Sequence, residues 1–498
     1  MTSPHDTYTS PLASRNASPA MLRIWSPRHK FNTWRRIWLA VAEAQQACGL
    51  PITDEQIAEL RAVVERGITD EELARAAELE RELRHDVMAH VHCLGEQCPK
   101  AKPIIHLGCT SQDVVCNADL GCLFESLRLT ESKVVRCISA LTRTATDYSN
   151  TPTLGFTHYQ VAQPTTVGRR IAGWAHDLNV VFGQIDAARV HLLKLRGFRG
   201  ATGTQASFLK LFGDDPMKVA RFEMEATKRF MPHPLLDRTY DLTGQTYPRV
   251  VDAIVLADLA SVASVLHKIA TDIRLLSNRK EIDEPFGKSQ IGSSAMPYKR
   301  NPMKCERICG LARFVMNLVG NAYDTAATQW LERTLDDSSN RRLSLPEAFL
   351  ALDGALDLMH EVASGLVVNE AMVRKNLMDE LPFLATENIL MEAVKAGGDR
   401  QDLHEAIRVH AQAAGHRVKQ EGLDNDLLER LKRDPMFRSK ASGGALERDL
   451  NWDNLMDPMQ YVGRSVEQTE RFVREVVEPL RERYAEELAN LGSSDRGV

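Results

Sequence analysis

The stretch Gly292-Ser293-Ser294-Ala295-Met296-Pro297-Tyr298-Lys299-Arg300-Asn301-Pro302 combines the residue types a closing loop needs. Small residues at its start leave the backbone free to move, and two prolines restrict its shape. Such a loop can close over a bound molecule and exclude water. Lys299 offers a charge to an anion or to negative charge developing on a carboxylate. Either serine becomes reactive once closure surrounds its hydroxyl with cationic or donor groups. On composition alone the segment reads equally as a surface linker.

Three other groupings carry candidate chemistry. Arg84-His85-Asp86 is followed by His90 and His92. The step of five from His85 to His90 is not the i,i+4 pair with which a helix holds a metal. No HExxH or cysteine-rich set accompanies it, so no metal site is expected. Thr110 and Ser111 precede a long helical pattern, where hydroxyls and N–H groups suit a carboxylate or simply cap the helix. Arg333, Ser338 and Arg342 lie in a charged run that reads by itself as a solvated face with ordinary salt bridges. His158 is one of 15 histidines. An imidazole can serve as a proton donor, although a lone histidine is more often structural.

The elements that must position these residues are helical. Apolar residues recur at helical spacing in very long runs: Leu120 to Leu141, Ile171 to Ile185, Val251 to Ile273, and roughly 304–330 and 342–367. Helices of 25 residues or more, without interior proline, predict a bundle, and strand-like alternation is scarce. Earlier helices are expected near Phe31, over 54–66 and over 69–98. Later ones are expected over 387–396, 402–420 and about 465–489, and residues 1 to about 20 are expected to be irregular. The reading is all-α with three domains, 1–112, 113–366 and 367–498. Several bundle helices carry apolar residues on more than one face, which predicts a homo-oligomer.

The 498 residues carry a formal charge of −5, 43% hydrophobic and 26% charged. That balance argues against nucleic acid or an anionic membrane as an obligatory partner and leaves room for a local basic pocket. Nine cysteines without a CxxC pair fit a reducing compartment. No run approaches 18 uninterrupted apolar residues, and the N-terminal residues lack a secretory pattern, so a cytoplasmic location is expected. No GxxxxGK[ST] loop points to an ATPase.

The run from Gly292 to Pro302, followed by Glu306, resembles the signature loop of the fumarase/aspartase superfamily, whose members release fumarate or a close analogue from a succinyl-like substrate. With Tyr298, Lys299 and Arg300 before Asn301, it is similar to the adenylosuccinate lyase family in its animal-like form. The resemblance extends through Arg84 to His90, Phe156 to Gln160, Thr243 to Tyr247 and Glu332 to Ser338, and so over nearly the whole chain. It implies the three-domain helical fold and elimination of fumarate from a succinylated purine nucleotide, without a cofactor. Argininosuccinate lyase is the alternative within the superfamily, and a non-catalytic structural homologue is the second.

Carried over by position, the resemblance makes Ser293 the general base and His158 the proton donor to the departing nitrogen, paired with Glu306. Lys299 stabilises charge, and His85, supported by Asp86, lies near the phosphate end. Thr110, Ser111, Thr157, Gln245 and Asn301 would hold the succinyl portion. Arg15, Arg84, Arg307, Arg333, Ser338 and Arg342 would hold the nucleotide. Asn16 stands where relatives usually have tyrosine. The resemblance further implies a homotetramer in which each site draws on three subunits.

Overall fold

The computed structural model describes residues 6–231, 233 and 238–492. Residues 1–5 of the N-terminal segment and 493–498 of the last expected domain lie outside them. The described chain is predominantly helical, with two short antiparallel strand pairs.

The N-terminal segment is more ordered than its composition suggests. A π-turn, Leu12–Asn16, leads into α1 (Pro19–Ile24), whose start is set by Ser18 accepting the Met21 N–H at 3.2 Å and by proline at the first helical position. Then come α2 (Pro27–Ala47), α3 (Asp54–Arg66), α4 (Asp70–Leu83) and α5 (Asp86–Gln97). The single helix expected over 69–98 is thus two. Arg84 adopts a left-handed φ of 53° and ends α4, and the extended His85 begins α5 as its cap. No glycine or proline marks that break, so periodicity ran through it.

The bundle consists of α6 (Ser111–Asp147), α7 (Val167–Ala187), α10 (Val250–Asn278), α11 (Met303–Ala327) and α12 (Asp337–Ser364), with α8 (Ala206–Leu211) and α9 (Pro216–Phe230) between. α6 packs on α7 and α12, and α10 packs on α7, α11 and α12. Contrary to expectation α12 does contain a proline, Pro346, in its interior. α10 is the one described helix long and apolar enough to cross a bilayer, and half of its apolar window is buried against its bundle neighbours. Its 29 residues span roughly 43 Å at 1.5 Å per residue.

Strands β1 (Pro152–Thr157) and β2 (Gln160–Thr166) form a hairpin between α6 and α7, which the sequence reading did not anticipate. β3 (Ile282–Asp283) pairs with β4 (Val367–Val368), tying the segment after α10 to the segment after α12. α13 (Glu370–Leu384) and smaller helices, including Thr386–Lys395 and Arg400–Glu421, follow.

One continuous apolar core runs from Met21 to Val373 and takes in Val477, Leu480 and Tyr484 from the C-terminal helices. A second, from Ala385 to Leu455, lies within the C-terminal part. The bundle interior also holds paired charges. Lys133 meets Asp353 and Asp357, and Glu131 accepts from Arg189 (2.7 Å) and from the Tyr484 hydroxyl (2.8 Å). Each buried ion faces an opposite charge, which offsets part of the cost of its burial. Val250, Ile254 and Leu275 of α10 and Phe314 and Tyr323 of α11 are exposed on the single chain.

Candidate active site

The chain places the expected site residues in three separate groups. The first lines a cavity of about 640 Å³ where the α4–α5 break, the start of α6 and the start of α12 meet. Arg84, His85, Asp86, Ser111, Arg333, Ser338 and Arg342 all line it. Here the helix break does its chemistry. His85 Nδ1 accepts the Met88 N–H at 3.3 Å, so that nitrogen carries no proton. The ring's hydrogen is therefore on Nε2, which lies 3.4 Å from Ser111 Oγ at the cavity wall. Asp86 joins Arg342 at 2.9 Å and accepts the Val87 N–H at 2.8 Å. Burial opposes its charge, but those donors outweigh it and hold its pKa below the ordinary carboxylate value.

Arg333 is held from several sides. It donates to Gln245 Oε1 (2.9 Å) and to Ser338 Oγ (3.2 Å), and its guanidinium also faces the side-chain amide of Gln112. Gln112 also lines the cavity and was missed in the sequence, although it directly follows Thr110 and Ser111 in the same polar break. Gln245 reaches Arg333 because Gly244 packs against the Glu332 backbone: a Cβ there would lie 2.6 Å from the Glu332 carbonyl oxygen. Thr110 caps α6 beside Ser111, its N–H bound by the fully buried Asp113 at 2.7 Å. Asp113 in turn pairs with the equally buried Arg196. Capping and presentation of Ser111 are therefore one arrangement. Lys30, Arg249 and Arg341 complete the basic lining, and none was expected there. His90 faces elsewhere, buried and stacked on Phe31 at 3.7 Å.

The second group surrounds the loop before α11. Ser293 Oγ accepts the N–H groups of Met296 (3.1 Å) and Ala295 (3.4 Å), donors of the kind that would lower the cost of an alkoxide. The loop closes on itself at its neck. Asn301 Nδ2 donates to the Gly292 carbonyl at 2.8 Å, and a Cβ on Gly292 would lie 2.1 Å from the Lys299 carbonyl oxygen. Asn301, expected to hold substrate, therefore also ties the loop's ends. Lys299 is exposed at the rim. Below the neck, both carboxylate oxygens of Glu284 accept N–H groups at the start of α11, from Lys304 (3.0 Å) and Cys305 (2.8 Å). Arg307 reaches back to the N-terminal π-turn, bonding Asn16 Oδ1 and the Arg15 carbonyl, both at 2.9 Å. Glu306 is exposed, 4.0 Å from Arg274.

The third group is the hairpin tip. Thr157 ends β1 and Gln160 begins β2, so His158 and Tyr159 form a two-residue turn, both with left-handed backbones (φ 53° and 56°). Glycine or asparagine is the usual occupant of such a turn. His158 is exposed, and among the described residues it has no hydrogen bond or ion pair. The hairpin is fixed beneath its tip, where Phe156 lies 4.8 Å from the Arg279 guanidinium.

One chain does not unite these groups. Arg249, at the start of α10, lines the first cavity, whereas Ser277 and Asn278, at its end, line a different cavity with Glu306. The length of α10, roughly 43 Å, separates the basic cavity from the loop, and no contact joins His158 to Glu306 among the described residues.

A family model described as lyase matches residues 14–317, and one described as adenylosuccinate lyase C-terminus matches residues 382–472. The chain is 48% identical over 474 residues to an adenylosuccinate lyase of Saccharomyces cerevisiae, covering 95% of each. It is 47% identical over 492 residues to one of Schizosaccharomyces pombe, covering 98% of this chain and 99% of that protein. Among solved structures, a 3-carboxy-cis,cis-muconate lactonizing enzyme from Pseudomonas putida superposes with a TM-score of 0.77 at 24% identity, over 95% of this chain and 99% of the other. A fumarate lyase from Mesorhizobium sp. BNC1 gives a TM-score of 0.74 at 22% identity, over 93% and 98%. These two likenesses establish the fold.

Proposed function

The chain belongs to the adenylosuccinate lyase family, and from that membership we propose that it eliminates fumarate from adenylosuccinate to leave AMP. It carries out the same elimination on the succinylaminoimidazole carboxamide ribotide, leaving the aminoimidazole carboxamide ribotide. Both substrates join a succinyl-amino group to a phosphorylated ribosyl base.

The observation that carries the assignment of the base is the pair of backbone N–H groups on Ser293 Oγ. As its alkoxide, Ser293 removes the proton from the succinyl carbon beta to the C–N bond. The electrons collect as an aci-carboxylate, held by Lys299, Asn301 and the cradle of Thr110 and Ser111. The C–N bond then breaks, and His158, oriented by Glu306, protonates the departing amino nitrogen. Thr157 and Gln245 hold the succinyl portion. Arg15, Arg84, Arg307, Arg333, Ser338 and Arg342 engage the nucleotide, and Asn16 positions Arg307. His85, with its Nε2–H directed to the cavity, donates to the nucleotide's phosphate end. Every step uses protein groups.

The enzyme is a homotetramer whose sites each combine the basic cavity, the loop and the hairpin from three subunits. The separation of the basic cavity from the loop along α10 supports that reading, as do the exposed apolar residues of α10 and α11. The division into 1–112, 113–366 and 367–498 belongs to the same proposal. Nine free cysteines accord with the cytoplasm as its location. The test is a spectrophotometric assay with adenylosuccinate, with fumarate and AMP measured as products. Their stoichiometric appearance is expected, and a folded protein without turnover would overturn the assignment.

A further inference from the structure

Lys30 sits where a positive charge is costly unless an anion completes it. It lies in the first turn of α2, at the positive end of the helix dipole, and no acidic residue occupies the turn. Its ammonium rests over Phe31 and Trp34, 5.3 and 5.0 Å from their ring centroids, and it lines the basic cavity. Burial lowers its pKa and nearby Arg342 adds to that, while Asp119 and Asp86 act the other way. Those two carboxylates are already engaged, Asp86 by Arg342 at 2.9 Å and Asp119 by Arg341 at 3.1 Å. Among the described residues, no acceptor bonds the Lys30 ammonium, and no carboxylate comes within 4.0 Å of it.

We propose that Lys30 is a further phosphate-binding residue of this site, giving its ammonium to the 5′-phosphate of the nucleotide beside Arg342. The inference rests on reading the cavity as the nucleotide site. A phosphate monoester carries close to two charges, more than one guanidinium neutralises, and its oxygens point in several directions. A compact ammonium with three donors complements the planar fork of Arg342. The aromatic faces hold the ammonium at the cavity in the absence of ligand, which reduces the ordering needed on binding.

The test is calorimetric titration of the full-length enzyme with AMP and, separately, with fumarate. Lys30→Met keeps an apolar stem on Phe31 and Trp34 without the charge, Lys30→Gln is titrated alongside as a second neutral variant, and Lys30→Arg restores the charge. The expected result is AMP affinity about 10- to 100-fold weaker in both neutral variants. Lys30→Arg should recover much of that loss, fumarate affinity should not change, and KM for adenylosuccinate should rise by more than kcat falls. Unchanged AMP affinity overturns the proposal, even if the melting temperature drops. So does lost fumarate affinity with AMP binding intact, which would move Lys30 to the carboxylate end. Failure of the wild-type enzyme to bind AMP would instead refute the nucleotide reading itself.

Discussion

Arg307 and Asn16, 291 positions apart, are joined at 2.9 Å by a hydrogen bond from Nε to Oδ1, and Asn16 has no remaining freedom to move away. Its amide nitrogen donates to the Pro11 carbonyl at 2.8 Å, and its backbone packs so closely on α12 that a Cβ on Gly354 would lie 2.7 Å from the Asn16 carbonyl oxygen. Asn16 thus aims an arginine. Asn16→Ala should raise KM about 5- to 30-fold, the worth of a hydrogen bond to a charged group, with a smaller change in kcat. Steady-state kinetics decide it, and an unchanged KM would free Arg307 from the nucleotide.

Ser293→Ala removes the proposed base but little ground-state contact. Turnover should fall by about 10³-fold or more while AMP affinity stays within about threefold. Single-turnover assays with a parallel binding titration separate the two effects. Residual activity near wild type would assign the base elsewhere.

Gly292→Ala tests the neck of the loop. The new methyl group would need the space of the Lys299 carbonyl, so the neck must open and Ser293 must shift. Activity should drop at least about 100-fold, because small misplacements of catalytic groups are that costly. The melting temperature should barely move, since the loop lies outside both cores.

Mixing examines the shared site directly. Ser293→Ala and His158→Ala proteins, each inactive, should regain activity when dissociated and reassembled together. About a quarter of the sites in a random one-to-one mixture would hold both native groups. Hybrid tetramers verified by mass and still inactive would sink the three-subunit arrangement.

Acid should destabilise the fold through His90 and His106. Burial is the main cause in each; Arg35 and Lys30 add to it at His90, and both pKa values fall to about 4. The unfolded chain takes up these protons near pH 6.5 and the folded chain only near 4. Their stabilising contribution is therefore complete above pH 6.5 and is lost as pH falls from 6.5 towards 4, up to about 3 kcal/mol per ring. Urea midpoints between pH 7.5 and 4.5 should show the decline. His90→Phe, which retains a ring against Phe31, should make it shallower.

The bundle was legible because Leu120 to Leu141 and Val251 to Ile273 repeat apolar residues for many turns, a signal that accumulates with length. The loop was legible from residue types in order. The two features that present histidines were not. Arg84 turns left-handed without glycine, and the hairpin turns on His158 and Tyr159 without the Asn-Gly pair that announces such turns. β1 and β2 also pair irregularly between Thr153 and Gly155, which erases clean alternation. Lys30 and Arg249 reach the cavity only through tertiary packing, from helices whose local sequence carries no binding motif.

The buried carboxylate of Glu131 has a consequence for the order in which the molecule is made. Its second hydrogen-bond donor, Tyr484, lies 353 residues further along. During synthesis, α6 and α7 can begin to associate, and Arg189 can reach Glu131, long before that hydroxyl exists. Until it docks, the acid stays half satisfied, and the surface that later covers it is open to water or to a chaperone. Completion of the central bundle therefore waits on a late segment of the chain, and a ribosome that stalls before Tyr484 would leave an acid in the core without its cover.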